Sequence, residues 1–199
     1  MSNILFFDTE TTGLYNYRLP ADHPSQPYIV QLAAQLRDDA GAVLSEFSFL
    51  VDNGLSVEIP EAASAVHGIT TAKAHALGAA PNLVMAGFRH FYGNCALVCG
   101  HNLKFDLAVM ETAIARYLGR VFPLKRETFC TMEAAAPIVN LPPTARMLAA
   151  GFNKPKAPKL EECIRHFFDE DLEGAHDAMI DVRACARVYY HLQTLAKAA

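Results

Sequence analysis

A chain of 199 residues, 52% hydrophobic and 19% charged, is long enough to bury a substantial core, and its composition excludes a disordered or fibrous protein. Its formal charge of −4, from 17 basic and 21 acidic residues, excludes a uniformly basic surface of the kind that coats nucleic acid along its length. No apolar run reaches membrane-spanning length, and Asp8 interrupts Ile4–Phe7 before a signal-peptide core can form, so the expectation is a soluble, unexported, cytoplasmic α/β domain over 1–199 with no membrane partner.

In chain order, Ile4-Leu5-Phe6-Phe7 is apolar without alternation, which predicts a central strand covered on both faces. Ile29–Leu36 and Val43–Val51 partly alternate around the turn residues Asp38-Asp39-Ala40-Gly41 and predict a hairpin joined to that strand. Leu83, Met85, Phe88, Phe91 and Tyr92 predict a helix, Ala96–Cys99 a short buried strand, and Phe105–Leu118 a second helix. Arg126–Cys130 reads as the last strand. A helix over Met132–Val139 follows, stopped by Leu141-Pro142-Pro143. Asn153–Lys159 reads as a basic loop and Leu160–Phe168 as a helix. A final helix starts near Asp177, with Met179, Val182, Cys185, Ala186, Tyr189 and Leu192 as its apolar stripe. Five cysteines, Cys95, Cys99, Cys130, Cys163 and Cys185, are odd in number and lack C-x-x-C spacing, as expected of reduced core residues.

Three segments carry chemistry. Asp8 and Glu10, in Asp8-Thr9-Glu10-Thr11-Thr12-Gly13-Leu14, project to one side because strand side chains alternate, and two carboxylates forced together call for a proton or a hard cation. A polar turn closing a strand would use the same residues. Gly100–Asp106 sets Asp106 in the first turn of a helix beside the sheet edge, where it is either a third carboxylate of the site or a helix-dipole partner. In His176-Asp177-Ala178-Met179-Ile180-Asp181, Asp181 flanks the apolar stripe, so it faces the sheet, where burial demands a partner; a surface aspartate is the plain alternative. With these four carboxylates set aside as cation ligands, the remaining charge balances, and Lys154, Lys156, Lys159 and Arg165 form a local basic cluster suited to a short stretch of nucleic acid.

Taken in order, the three segments resemble the motifs of the DEDDh exonucleases, the group that includes the proofreading subunit of bacterial DNA polymerase III, and Val66-His67-Gly68-Ile69-Thr70 resembles a further segment of that family. The resemblance spans nearly the whole chain. It implies a ribonuclease H-like fold: a mixed five-stranded sheet, the first three strands antiparallel, with helices on both faces. It implies a metal-dependent 3′→5′ exonuclease that releases nucleoside 5′-monophosphates, with two divalent ions, Mg²⁺ or Mn²⁺, held by Asp8, Glu10, Asp106 and Asp181, and His176 as general base. The partner it implies is the single-stranded 3′ end of a nucleic acid, contacted by Leu14 at the terminal base and by the exposed amides and hydroxyls of Thr11 and Thr12 with Gly13. His67, Asn102 and Phe105 join this set through their motif segments, His67 and His101 alternatively being structural, and Lys154, Lys156 and Lys159 are expected on substrate phosphates. DNA versus RNA, a polymerase partner and a homodimer stay open, with a free-standing enzyme favoured because no long tail follows Leu195. A catalytically dead binding module would have lost one of the five motif residues, and a monomer phosphodiesterase would need a closed pocket. The proline-rich stretch Tyr15–Tyr28 and the segment Arg146–Lys159 depart from the family pattern and are expected to reshape the cleft.

Overall fold

The computed structural model describes residues 3–119 and 124–198, so residues 1–2, 120–123 and 199 of the expected domain lie outside the described residues. Strand β1 (Ile4–Thr11) pairs antiparallel with β2 (Ile29–Arg37), which pairs antiparallel with β3 (Val43–Leu50). Helices α1 (Glu61–His67), α2 (Thr71–Leu77) and α3 (Pro81–Gly93) lead to β4 (Leu97–Gly100), parallel to β1. Then come α4 (Leu103–Leu118), β5 (Glu127–Cys130) parallel to β4, α5 (Thr131–Val139), α6 (Ala145–Ala149), α7 (Leu160–Phe168) and α8 (Ala178–Ala198). The sheet order is β3-β2-β1-β4-β5, a mixed five-stranded sheet with three antiparallel strands first, as the motifs imply.

Strand alternation explains the two-sided core. On β1, Leu5 and Phe7 pack with Phe88 of α3 and Met110 of α4, whereas Ile4 and Phe6 pack with Val182 and Tyr189 of α8 on the opposite face. Edge-to-face ring pairs lock both sides, Phe7 on Phe88 at 5.1 Å and Phe6 on Tyr189 at 5.4 Å. β1 continues four residues past the expected Phe7, so Asp8 and Glu10 lie on the strand itself, and a register shift between Glu10 and Thr11 frees the chain into the next loop. Helices α1, α2 and α6 were not legible as elements. They have seven, seven and five residues, too short for helical periodicity to register. The edge strand β3 leaves Val43, Leu44 and Phe49 partly exposed. The five cysteines are all free.

Candidate active site

The alternation that divides the core also builds the site. Asp8 and Glu10 continue the face of Ile4 and Phe6 and so turn toward α8, while Thr9 continues the face of Leu5 and Phe7 and meets α4. There Asp106, 3% exposed, accepts from the Thr9 backbone N–H at 3.1 Å and from the Thr9 hydroxyl at 2.7 Å, both through Oδ1. A left-handed Asn102, φ 63°, turns the chain from β4 into α4 so that Asp106 falls in the helix's first turn.

Helix α8 is started by Asp177, whose Oδ1 accepts from the N–H groups of Met179 at 3.0 Å and Ile180 at 3.2 Å. Gln31 of β2 ties this end to the sheet through its amide, donating to Asp177 Oδ2 and accepting from the Ala178 N–H. One turn on, Asp181 points back to β1, and its Oδ2 accepts the His176 backbone N–H at 3.2 Å. The turn carrying His176 is fixed by Gly174 at φ 73°, where a Cβ would lie 2.5 Å from Ile180 Cδ1, and by His176 itself at φ 69°. Ligating atoms of Glu10, His176 and Asp181 all lie within 4.8 Å of one another.

Burial and mutual repulsion give these carboxylates unusual acidity. Asp8 is raised well above the ordinary carboxylate range, first by burial and then by Asp106, Asp181 and Glu10. Glu10 is raised to about 8 by burial, with Asp181 and Asp106 adding to it. Asp106 is raised to about 7 by burial against the lowering effect of its Thr9 hydrogen bonds, and Asp181 to about 6 by burial against its bond from His176. Protons therefore remain in the cluster near neutral pH unless a cation replaces them. The Asp181 Oδ1 atom is buried with no hydrogen-bond partner among the described residues, an orphaned acceptor in a carboxylate-rich cluster. A hard divalent cation such as Mg²⁺ or Mn²⁺ fits this arrangement.

The four carboxylates border a cleft of about 450 Å³ together with His176, Leu14, Asn102, Phe105, Met132, Lys159 and Glu161. Leu14 is 90% exposed and also borders an adjoining depression with Thr12 and Gly13. The expected exposure of Thr11 and Thr12 is corrected: Thr11 is buried and donates its hydroxyl to the Gly13 carbonyl, while the Thr12 N–H and hydroxyl both pair with Tyr28. The first motif thus occupies the Thr11 hydroxyl, and the end of the proline-rich loop occupies the Thr12 groups. His67 sits behind the end of β1, with Nε2 on the Thr11 carbonyl and Nδ1 accepting the Ile69 N–H. His101 is held between Thr131 and the Pro158 carbonyl, and burial lowers its pKa to about 4, so it is neutral.

The expected basic cluster is also corrected. Lys156 pairs with Glu162, Lys159 with Glu161 and Arg165 with Asp171, leaving the exposed Lys154 outside these pairs. Glu161 and Glu162 lie in the first turn of α7 and Asp171 just beyond its end, a proximity that reading the basic residues alone overlooked. Thr9 and Gln31, which position Asp106 and the start of α8, also escaped sequence reasoning. Thr9 lies inside the first motif, and its orientation opposite Asp8 and Glu10 is the signal that could have assigned it to α4.

The chain resembles solved exonucleases in fold. Escherichia coli Exonuclease I in complex with a dT13 oligonucleotide superposes with a TM-score of 0.75 at 21% identity, covering 98% of this chain and 41% of that one. A moderately thermophilic Exonuclease I from Methylocaldum szegediense gives 0.72 at 19% identity, covering 98% and 41%. The zinc-bound form of the E. coli ExoI–ssDNA complex gives 0.69 at 21% identity, covering 97% and 40%. The chain thus spans about two fifths of the length of these neighbours. No curated protein matches it in sequence. The family model described as Exonuclease matches residues 5–189, from the first core strand to the last helix and across all three acidic segments, and the chain therefore belongs to the exonuclease family.

Proposed function

We propose that residues 1–199 form one exonuclease unit that hydrolyses a single-stranded nucleic acid from its 3′ end and releases nucleoside 5′-monophosphates. The observation that carries this reading is the convergence of Asp8, Glu10, Asp106 and Asp181 on one open cleft, with an unpartnered Asp181 oxygen and proton-retaining carboxylates. Two divalent ions, Mg²⁺ or Mn²⁺, held by these residues would supply charge stabilisation to the attacking and leaving oxygens of an in-line displacement.

The chain's own groups do the rest. His176, exposed on a turn whose backbone is fixed, takes a proton from the attacking water as its oxygen bonds to phosphorus; the P–O3′ bond breaks, the leaving O3′ takes a proton from solvent water, and the shortened strand departs with a 3′-hydroxyl while the terminal nucleotide departs as its 5′-monophosphate. Leu14 and Phe105 offer apolar surface to the terminal base, and Asn102 a polar contact beside them. Lys154 is the loop cation suited to a phosphate, with Lys159, whose pair with Glu161 is exposed and exchangeable, as a second. The openness of the cleft to a polymer favours a strand end over a nucleotide monomer. Solved neighbours carrying oligonucleotides, dT13 and dA16 on E. coli Exonuclease I, support a nucleic-acid substrate.

Digestion of 5′-labelled single-stranded DNA and RNA with Mn²⁺ tests the reading. The expected result is a ladder shortening one nucleotide at a time, 5′-monophosphates as products, and arrest by EDTA. Internal cuts at the earliest times, or cleavage that persists in excess EDTA, would defeat it.

A further inference from the structure

The loop between β1 and β2 is built as a rigid shelf. Its centre is Gln26, 1% exposed, whose side-chain oxygen accepts the Asn16 N–H and whose amide donates to the carbonyls of Asn16, Leu19 and Pro20. From α4, Thr112 donates to the Ala21 carbonyl, and Arg116 donates to the Gln26 and Pro27 carbonyls with its guanidinium 3.7 Å from the Tyr28 ring centroid. Internal and external bonds together leave the shelf little freedom.

Its front edge carries Tyr15 and Tyr17. Tyr15 is anchored on the core, and Tyr17, 54% exposed, leans on it with ring centroids 4.8 Å apart. The ammonium of Lys104 lies 4.9 Å from the Tyr17 centroid. Lys104 is adjacent in sequence to Phe105 and Tyr17 follows Leu14 by three residues, and both Phe105 and Leu14 border the cleft, so the chain carries the pair next to the cleft's apolar residues. Partial burial raises the pKa of the Tyr17 hydroxyl and Asp106 adds to it, which puts this ring within electrostatic reach of that carboxylate. Whereas Lys156, Lys159 and Arg165 are each paired with an acid, no ion pair joins Lys104 to a carboxylate among the described residues.

We propose that Tyr17 and Lys104 form a second nucleotide contact upstream of the scissile bond, the Tyr17 ring taking a base face and the Lys104 ammonium the phosphate of the same nucleotide. This rests on the nucleic-acid reading above. A cation resting on an aromatic face is displaced at little cost when a phosphate offers full charge neutralisation, and the ring it uncovers is then a stacking surface for any base. The shelf makes the contact preorganised, so little ordering entropy opposes binding.

The test is fluorescence anisotropy of a labelled oligothymidylate in EDTA, where binding is read without cleavage. Lys104→Met, which keeps the aliphatic stem over the ring, is expected to weaken binding ~10-fold and to reduce the log–log salt slope by about 0.7, the single-strand value for one phosphate. A single methylphosphonate moved through the upstream linkages should cost the wild type that same factor at one linkage, and cost Lys104→Met nothing further there. Tyr17→Ala should weaken binding ~10-fold. Tyr17→Phe should restore it, and an abasic residue at that nucleotide should erase the difference. An unchanged salt slope in Lys104→Met, additive losses at every linkage, equal binding by Tyr17→Ala and wild type, or no wild-type binding at all would overturn the contact. Parallel digestion in Mn²⁺ separates the two claims: wild type that binds but does not cut defeats the exonuclease reading alone, and wild type that cuts while both variants bind unaltered defeats the contact alone.

Discussion

Thr9 shows how a residue between two ligands can govern both of them. Its hydroxyl and N–H hold Asp106 Oδ1 and lower the pKa that burial would otherwise push beyond about 7. Thr9→Val removes the hydroxyl, so Asp106 keeps its proton more firmly and a cation must displace it at greater cost. We expect Mn²⁺ affinity at pH 7 to fall about tenfold, the equivalent of ~1.4 kcal/mol, with Thr9→Ser close to wild type in calorimetric titration. His176 and Asp181 lie in one motif but have separate roles. Asp181→Ala removes the orphaned buried oxygen and should lower both Mn²⁺ affinity and turnover. His176→Ala should leave Mn²⁺ binding largely intact and slow single-turnover cleavage by ~10²–10⁴-fold, the usual contribution of a general base. Equal loss of Mn²⁺ binding in both variants would make the histidine a ligand, a role its place among the Glu10, His176 and Asp181 ligating atoms would permit.

At the scale of elements, the shelf between β1 and β2 is expected to depend on a single buried amide. Gln26→Ala leaves the carbonyls of Asn16, Leu19 and Pro20 without their shared donor, at a cost of about 1–3 kcal/mol in denaturant unfolding. KM for oligonucleotides should rise with it, because Tyr17 loses its support. Unchanged unfolding together with unchanged KM would make the shelf a passive connection. The same loop marks where sequence reading ran out. The strands were legible because uninterrupted or alternating apolar residues are a strong signal, and period-two alternation alone sends Asp8 and Glu10 to one face of β1. The order of the three acidic segments then identified the site. What stayed hidden depends on contacts that no local pattern encodes: Gln31 reaching Asp177 and Thr9 reaching Asp106 across long sequence separations, and Lys156 turning to Glu162 at the start of the next helix. A run of lysines looks free until the helix folding beside it supplies acids. Thr11 and Thr12 likewise look available until the loop returns and Tyr28 meets Thr12.

For the whole molecule, the carboxylate cluster couples folding to pH. Unfolded carboxylates titrate near their ordinary values of 3.8 and 4.5, while in the folded state Glu10, Asp106 and Asp181 titrate at about 8, 7 and 6, so between those limits the folded state retains protons that the unfolded state has lost. Their stabilisation is complete below the unfolded range and disappears as pH rises through the folded values. His101, lowered from 6.5 to about 4, acts with the opposite sign, but its effect is complete by pH 6.5. In EDTA the unfolding free energy should therefore fall between about pH 6.5 and 8, and saturating Mn²⁺ should abolish the decline. A flat profile in EDTA would mean that the carboxylates are already ionised. That the carboxylate cluster holds protons until divalent cations displace them is tested most directly by Mn²⁺ calorimetry of the wild-type chain in buffers of different ionisation enthalpy. Two ions should bind, with net proton release that diminishes as pH rises from about 6.5 through 8. Heats independent of the buffer, or no saturable binding, would contradict it.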